Sequence, residues 1–320
     1  MDRHSPVREG HGRTWAKAIL VGEHSVVYGH PAVAVPLHDL AMRATATPVS
    51  GLSRLRSLGY DGPIDRSGPR FACVARAFDT AREFSGCLEQ SFEIATTSDF
   101  PHERGLGSSA AAAGAVIRAV LDACGRSASA EEIFALTQTA EKVAHGRPSG
   151  LDAAATSSPS LIHFQGGQMS PLSQRIDQAH LVIADSGVHG STRQAVMGLR
   201  QRYEEDTEAV GPLVAGLGDL TRDAIAALGD DDAPGLGSAM NEAHAILSEL
   251  GLSLPVLDEL TRAARQAGAL GAKLTGGGLG GCVIALAHGR QAADEVRSAL
   301  EVAGAAGTWT YRMRVGEVDR

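Results

Sequence analysis

Lysine is scarce in this sequence of 320 residues, and so are aromatic side chains. Only three of its 29 lysine and arginine residues are lysines: Lys17, Lys142 and Lys273. Arginine is a wide fork that is always charged, whereas lysine is a compact charge with an adjustable pKa. Because lysine is so rare here, each one is a candidate for a role that arginine cannot fill. Aromatic residues make up 4% of the chain, which argues against a nucleic-acid reader built on stacked bases.

The chain also lacks a net positive charge, a cysteine cluster and a long apolar run. Its formal charge is −8, so an anionic substrate has to be held locally, by backbone amides, a metal ion and a few placed cations. The four cysteines are scattered, with no Cys-x-x-Cys pair and no zinc spacing. No apolar stretch approaches the ~18 residues of a membrane span, and no signal peptide is recognisable. These features predict a cytoplasmic protein without a nucleic-acid or membrane partner.

The hydrophobic patterns that are present predict an α+β protein. Strands are predicted at 14–20, 40–47, 91–97, 181–184, 282–287 and 308–314. Helices are predicted at 110–123, 191–208, 210–228, 235–250, 255–268 and 291–303. Ser129 and Glu132 form a capping box for one more helix, which is predicted to end near His145. The stretch 50–67 is rich in Gly, Ser, Arg and Asp and is predicted to be a surface loop.

A glycine-rich segment, Gly105-Leu106-Gly107-Ser108-Ser109-Ala110, leads directly into the helix predicted at 110–123. Such segments bind phosphate because backbone N–H groups converge and no side chain blocks the approach. The segment is not a Walker A loop, and it meets the dinucleotide-binding fingerprint only loosely, since no apolar strand runs straight into it. A second glycine-rich stretch at 276–281 opens a strand and not a helix. The residues therefore predict a phosphate loop of another design.

Three motifs occur in order along the chain: KAILVGEHSVVYG at 17–29, PHERGLGSSAA at 101–111 and KLTGGGLGGC at 273–282. They resemble the motifs of the galactokinase, homoserine kinase, mevalonate kinase and phosphomevalonate kinase (GHMP) superfamily. The resemblance implies an ATP-dependent kinase with a two-domain α+β fold and its active site in the cleft between the domains. The N-terminal domain (1–175) would be ribosomal-protein-S5-like α/β, and the C-terminal domain (176–320) ferredoxin-like α+β.

Within the superfamily the resemblance is strongest to the mevalonate kinase branch, on the segments 22–29, 145–152 and 185–193. It implies phosphorylation of the 5-hydroxyl of (R)-mevalonate in the mevalonate route to isoprenoids. Arg147 stands where the branch commonly has asparagine, and Ala153 where asparagine often follows the aspartate. These departures keep phosphomevalonate and homoserine open as alternative acceptors.

Two further alternatives belong to other functional classes. One is an enzyme like the decarboxylase of mevalonate diphosphate, against which the His24 motif and Glu141 argue. The other is a ligand-binding relative without turnover. That relative would be expected to lose catalytic groups, and this sequence retains Lys17 and Asp152.

The resemblance assigns catalysis to Asp152 and Lys17. Asp152 would accept the proton of the acceptor hydroxyl, and Lys17 would keep Asp152 ionised and offset the developing charge. Taken without the resemblance, Asp152 in Ser-Gly-x-Asp is more simply a turn or cap aspartate. Lys17 alone would be an exposed lysine at a strand start.

The remaining assignments also come from the resemblance. Mg²⁺ would be held by Ser109 and Glu141, as a cation that needs few protein oxygens besides phosphates and water. ATP, the co-substrate, would be bound by Pro101, Gly105, Leu106, Gly107, Ser108, Ser109 and Ala110. The acceptor would be bound by Lys17, Glu23, His24, Asp152, Ser191, Thr192, Thr275 and Gly276, with Arg193 near its carboxylate. A homodimer and feedback inhibition by isoprenoid diphosphates are common among such relatives and are expected here.

Overall fold

The computed structural model describes residues 7–145 and 148–314 and divides the chain into two compact units. The first unit contains the residues up to 16, together with 37–102 and 107–157. The second contains 17–36, 103–106 and 158–320. Strands β1 (Gly10–Val21) and β2 (Ala32–Val49) each run from one unit into the other and pair with one another. The domain boundary at 175/176 stays a prediction.

The first unit is a mixed sheet with helices. Its other strands are β3 (Arg54–Ser57), β4 (Tyr60–Pro63) and β5 (Ser91–Ser98), in the order β4-β3-β5-β2 with β1 on β2. Its helices are α1 (Ala72–Ser85), α2 (Ser108–Ala123), α3 (Ala130–His145) and α4 (Leu151–Ala155). Helix α2 is almost entirely buried, as its apolar composition predicts. The capping box of α3 is confirmed, because the Glu132 amide donates to the Ser129 hydroxyl and the Ser129 amide donates to the Glu132 carboxylate.

Strand β1 lies unusually close to α2. A Cβ atom on Gly12 would stand 1.9 Å from the Ala115 carbonyl oxygen, and one on Gly10 would stand 2.2 Å from that of Ala119. Only glycine permits this approach, and the alanine-rich face of α2 completes it. The packing brings the N-terminal strand onto the helix that follows the predicted phosphate loop.

The predicted surface loop at 50–67 is wrong, because β3 and β4 form a hairpin there. Leu55 points into the core with no exposed surface, and Arg54 pairs with Asp61 across the two strands at 2.8 Å. The turn residues Leu58 and Gly59 both have positive φ, as a two-residue hairpin turn of the type I′ class requires. The segment is polar in composition because the charged side chains of β3 face outwards, and they alternate with buried ones.

The second unit is built on a four-stranded antiparallel sheet in the order β11-β8-β10-β9. Its strands are β8 (Ala179–Asp185), β9 (Gly271–Thr275), β10 (Cys282–His288) and β11 (Gly307–Arg312), and a small hairpin is formed by β6 (Ile162–Gln165) and β7 (Gln168–Pro171). Its helices are α5 (Thr192–Glu205), α6 (Thr207–Gly229), α7 (Ala233–Glu249), α8 (Pro255–Gln266) and α9 (Arg290–Val302). The five helices and the strands β8, β10 and β11 lie within a few residues of their predicted positions, whereas β6, β7 and β9 were not predicted. The α+β class is confirmed.

Register in this sheet places the ends of three strands side by side. Cys282, the first residue of β10, is opposite both Asp185 at the end of β8 and Thr275 at the end of β9. The segments 185–193 and 276–281, both singled out in the sequence, therefore begin at the same end of the sheet. No helix among the described residues is long and apolar enough to cross a membrane.

Candidate active site

Lys17 lies on β1 and is buried, with 1% of its surface exposed. Its ammonium donates to the Gly105 carbonyl at 3.0 Å, and its backbone amide donates to the Leu106 carbonyl at 3.0 Å. The alternative of an exposed strand-start lysine is therefore wrong. The structure joins this lysine to the first glycine of the predicted phosphate loop, within the second unit.

The two glycine-rich segments touch backbone to backbone. A Cβ on Gly105 would stand 2.5 Å from the Thr275 carbonyl oxygen, and one on Gly276 would stand 2.7 Å from the Gly105 Cα. Both glycines have a positive φ, which residues with a side chain rarely adopt. The Thr275 hydroxyl accepts from the Ile19 amide at 2.8 Å and so ties the second segment to β1. The glycines are needed here for both conformation and space.

His24 is held at the second glycine segment. Its Nε2 donates to the Gly277 carbonyl at 2.9 Å, and the side chain is buried. Burial lowers the pKa of His24 to about 4, partly opposed by that hydrogen bond. The imidazole is therefore neutral at pH 7, with its proton on Nε2. Its backbone has φ +61°, a strained value that a histidine keeps only where the surroundings impose it.

Glu23 and Lys273 form an ion pair in the interior of the second unit. The Lys273 ammonium donates to a Glu23 carboxylate oxygen and, at 2.7 Å, to the Leu274 carbonyl. Burial raises the pKa of Glu23 and lowers that of Lys273, while the opposite charge of each partner acts against the shift. The other Glu23 oxygen, Oε2, is buried without a hydrogen-bond partner. The structure thus places Glu23 in the core against Lys273.

The start of helix α5 completes this group of segments. A Cβ on Gly277 would stand 2.7 Å from the Thr192 Cα, so the glycine segment packs on the helix start. Ser191 occupies the cap position, and Thr192 and Arg193 are exposed. The second unit therefore brings together the predicted acceptor residues Lys17, Glu23, His24, Thr192, Thr275 and Gly276.

In the first unit, Ser109 and Glu141 are adjacent. The Ser109 hydroxyl at the start of α2 donates to Glu141 Oε1 on α3 at 2.6 Å, and Glu141 is 3% exposed. The thiol of Cys73 on α1 donates to the same oxygen at 3.2 Å. Burial, followed by the Glu141 charge, raises the pKa of Cys73 well above its ordinary value, so the thiol stays protonated. Three helices thus converge on one buried carboxylate.

Asp152 is the second residue of the short helix α4 and is half-buried. Its carbonyl accepts from the amide and the hydroxyl of Thr156, at 3.0 and 2.9 Å. Gly150 precedes the helix with φ +100°. The neighbouring Gly146 and Arg147 lie outside the described residues.

The other residues that are predicted to bind ATP differ in the groups that they can present to a ligand. Leu106 and Ala110 have buried side chains, so they can contribute only their backbones. Ser108 and Ser109 are half-buried at the start of α2, and Pro101 is likewise half-buried. Gly107 precedes the helix with φ +74°. The segment is thus a backbone site that continues into a helix N-terminus.

Two side chains that contact the predicted site residues are not predicted by the sequence: Cys73, which donates to Glu141, and Lys273, which pairs with Glu23. Cys73 belongs to no motif and is one of four scattered cysteines. Lys273 was noted for its rarity and as the first residue of a motif, and its pairing with Glu23 spans 250 positions. The scarcity of lysine was the signal that could have singled it out.

Comparison with known proteins gives consistent matches over both units. Residues 71–158 match the family model for the GHMP kinase N-terminal domain, and residues 224–305 match the model for the C-terminal domain. A mevalonate kinase from Pyrococcus horikoshii is 36% identical over 310 residues, which cover 90% of this chain and 91% of that protein. One from Thermococcus onnurineus is 34% identical, with 90% and 92% covered.

Solved structures with the same fold include those of two mevalonate kinases. The L. major enzyme in complex with R-mevalonate has a TM-score of 0.83 at 23% identity, covering 98% of this chain and 100% of that one. The enzyme from methicillin-resistant Staphylococcus aureus has a TM-score of 0.74 at 30% identity, covering 97% and 100%.

Proposed function

The chain belongs to the GHMP kinase superfamily, and we propose that it transfers the γ-phosphoryl group of ATP to the 5-hydroxyl of (R)-mevalonate. The observation that carries the proposal is the position of Lys17, whose ammonium lies against the first glycine of the phosphate loop. A buried cation at that point is what transfer of an anionic group needs. Relatives that match nine-tenths of the chain are named mevalonate kinase, which favours mevalonate as the acceptor.

The proposed chemistry is one displacement at phosphorus. The acceptor oxygen bonds to the γ-phosphorus, the bond to the β–γ bridging oxygen breaks, and ADP leaves. Asp152 accepts the hydroxyl proton, and Lys17 offsets charge on the transferring group. Backbone amides of 105–110 hold the phosphates, because the buried side chains of Leu106 and Ala110 cannot. Most of the rate enhancement in such a reaction comes from positioning and charge neutralisation.

Ser109 and Glu141 fit a magnesium ion. A hydroxyl and a carboxylate oxygen 2.6 Å apart are hard oxygen donors of the kind that Mg²⁺ prefers. Among the described residues no group of three or more His, Cys, Asp or Glu side chains could hold a metal ion. Two protein ligands suffice for a magnesium ion that is shared with nucleotide phosphates and water. When bound, the ion neutralises phosphate charge.

The acceptor side of the proposal includes His24, Ser191, Thr192, Thr275 and Gly276. A neutral His24 can offer its Nδ1 as a hydrogen-bond acceptor, since Nε2 is used on Gly277. Glu23 is engaged by Lys273 in the core, so we assign it the support of this segment. Arg193 is exposed and remains the proposed partner of the acceptor carboxylate.

The proposal is tested by measuring ADP release with purified protein, ATP and Mg²⁺. Mevalonate, phosphomevalonate and homoserine are supplied in separate reactions. We expect turnover with mevalonate and little with the other two. Release with phosphomevalonate or homoserine instead would reassign the acceptor, and no release with any of the three would contradict the kinase assignment. The Asp152→Asn variant is the control for ADP that arises from contaminating ATPases.

Three further expectations accompany the proposal. We place the enzyme in the cytoplasm, where ATP is supplied and where free cysteines persist; all four cysteines here are free. A homodimer would be detected by light scattering of the purified protein. Feedback inhibition would appear as loss of ADP release when an isoprenoid diphosphate is added to the reaction.

A further inference from the structure

Arg104 directly precedes the first glycine of the phosphate loop and is paired with a residue far away in sequence. Its Nε lies 2.9 Å from Asp185 Oδ1, and its Nη2 donates to the Gly187 carbonyl at 3.4 Å. The two side chains are 11% and 9% exposed. Asp185 Oδ1 also accepts from the Gly187 amide at 2.9 Å, so the turn after β8 and the guanidinium share one carboxylate.

The backbone around Arg104 is fixed as well. Its carbonyl accepts from the Cys282 amide at 3.0 Å, and the Glu103 carbonyl accepts from the Gly190 amide at 3.1 Å. A Cβ on Gly281 would stand 2.8 Å from the Arg104 carbonyl oxygen. Residues 103 and 104 are therefore held by the segment after β8 and by the end of the second glycine segment. All of these contacts lie within the second unit.

Gly105, the residue after Arg104, connects these contacts to Lys17. The Gly105 carbonyl is the acceptor of the Lys17 ammonium. Because Gly105 has φ +79° and no side chain, its own conformational preference does little to fix the direction of that carbonyl. The contacts of Arg104 on one side and of Thr275 on the other supply the restraint.

The stability of the fold does not by itself explain why an arginine occupies position 104. A buried ion pair often contributes no more than apolar side chains of similar volume would. Arg104 also keeps Nε and Nη1 buried without a hydrogen-bond partner, so its contact with Asp185 is an ion pair and the two unsatisfied N–H groups add a cost. A role in placing the neighbouring glycine accounts for a guanidinium at this position, because its Nε lies against the Asp185 carboxylate while its Nη2 donates to the Gly187 carbonyl.

We propose that Arg104 is a positioning residue for phosphoryl transfer: its pairing with Asp185 orients the Gly105 carbonyl and thereby the Lys17 ammonium. The inference rests on the proposed role of Lys17. The Arg104–Asp185 pair links the proposed phosphate loop to the segment 185–190. That segment belongs to one of the stretches whose resemblance to the mevalonate kinase branch indicates the acceptor.

The first test observes Lys17 directly and needs no turnover. The chain has three lysines, so protein grown with ¹³C,¹⁵N-lysine gives three side-chain Cε and Nζ signal sets in NMR spectra. The Lys17 signal is assigned by its loss in Lys17→Arg. We expect Arg104→Gln to shift this signal and to speed exchange of the ammonium protons with water. Arg297→Gln, which removes an exposed pair with Glu301, is the matched control and should leave the signal unchanged.

The second test asks whether Arg104 acts on turnover through Lys17. A displacement of about 1 Å can cost on the order of 100-fold in rate, so we expect Arg104→Gln to lower kcat by ~10- to 100-fold, with melting temperature monitored alongside. Arg104→Lys retains the charge and should recover part of that loss. In the Lys17→Arg background, Arg104→Gln should lower the residual kcat by less than about twofold, because coupled residues are not additive.

Two outcomes would overturn the proposal. One is a Lys17 signal that is the same in Arg104→Gln as in the wild type. The other is an equal fractional loss of kcat in both Lys17 backgrounds, which would assign Arg104 to general stability. If the protein shows no kinase activity at all, the proposed function fails, while the NMR measurement still decides whether Arg104 positions Lys17.

Discussion

The two units offer a substrate opposite kinds of chemistry. The first holds a buried carboxylate, Glu141, that accepts hydrogen bonds from the Ser109 hydroxyl on α2 and the Cys73 thiol on α1. The second holds the Lys17 ammonium on the Gly105 carbonyl, beside two glycine segments that meet backbone to backbone. An oxygen cluster on helices suits a cation, whereas an ammonium and the backbone amides of glycine segments suit an anion. The chain builds the two kinds of chemistry on different scaffolds.

The largest effect is expected from Asp152, the proposed catalytic base. Replacing Asp152 by Asn would remove that base while conserving shape, and kcat should fall by ~100- to 10,000-fold, the usual range for loss of general base catalysis. ATP should still bind, because the phosphate loop is unchanged. Stopped turnover with retained nucleotide affinity, measured by fluorescence of a labelled ATP analogue, would support the assignment. Turnover within about twofold of the wild type would remove Asp152 from the mechanism.

The next largest effect is expected on stability, from the buried Glu23–Lys273 ion pair of the second unit. Lys273→Met leaves the Glu23 carboxylate buried without its counter-charge, and the free energy of unfolding should drop by about 3–5 kcal/mol. Denaturation by urea at pH 7 measures this. Glu23 has a raised pKa, so the penalty should shrink as the pH falls and the carboxylate takes up a proton.

The double variant Lys273→Met/Glu23→Gln separates lost charge pairing from lost packing. It should recover much of the stability that the single variant loses, because no buried charge is left unpaired. Arg200→Gln, at an exposed pair with Glu204, is the surface control and should cost less than about 1 kcal/mol. A Lys273→Met variant as stable as that control would contradict the interior placement of the pair.

Glycine substitutions compare a crowded position with an open one. Gly105→Ala meets the Thr275 carbonyl oxygen at 2.5 Å in addition to its unfavourable φ, whereas Gly268→Ala has a similar φ of +94° and nothing within 4 Å. The control should lose about 1–2 kcal/mol from backbone strain alone. We expect Gly105→Ala to lose more and to weaken ATP binding as well. Equal losses in the two variants would show that the glycine segments are not in contact.

At pH 7 the smallest effect on stability is expected from the histidines of the second unit, because their contribution changes only as the pH falls. His24 has a folded-state pKa of about 4 against an ordinary 6.5, so the unfolded chain binds its proton more tightly. Its contribution to stability is present above pH 6.5 and is lost as the pH falls towards 4, by roughly 1.4 kcal/mol per pH unit at most. His24→Gln should therefore unfold with a weaker dependence on pH between 6.5 and 4.5.

His244 provides the comparison for that slope, because its pKa is also lowered to about 4 by burial. It lies on α7 and is bonded to Asp258 and Thr261. His244→Gln should reduce the slope as well, without changing the affinity for mevalonate. If neither variant changes the slope, the two imidazoles are not neutral in the folded protein.

The sequence predicted the long helices and the Ser109–Glu141 pair better than the partners of Lys17 and Lys273. Helix α3 was recognisable from Ser129 and Glu132 because a capping box acts over three residues. Glu141 and Ser109 came from motif resemblance, and the structure places them together. Helix α1 at 72–85 was not predicted, although its Phe78 and Val74 are buried on one face. The Glu23–Lys273 and Arg104–Asp185 pairs each join residues that are far apart in the sequence. Spacing along the chain does not reveal which distant segments the fold brings together.

The central claim is tested most directly by identifying the product. Protein, ATP, Mg²⁺ and (R)-mevalonate are incubated, and the phosphorus of the product is correlated with its protons by two-dimensional ³¹P–¹H NMR. We expect a single phosphomonoester signal coupled to the C5 methylene protons, which forms at least ~100-fold more slowly when Asp152→Asn replaces the wild type. A phosphorus signal on any other position, or unreacted mevalonate beside hydrolysed ATP, would contradict it.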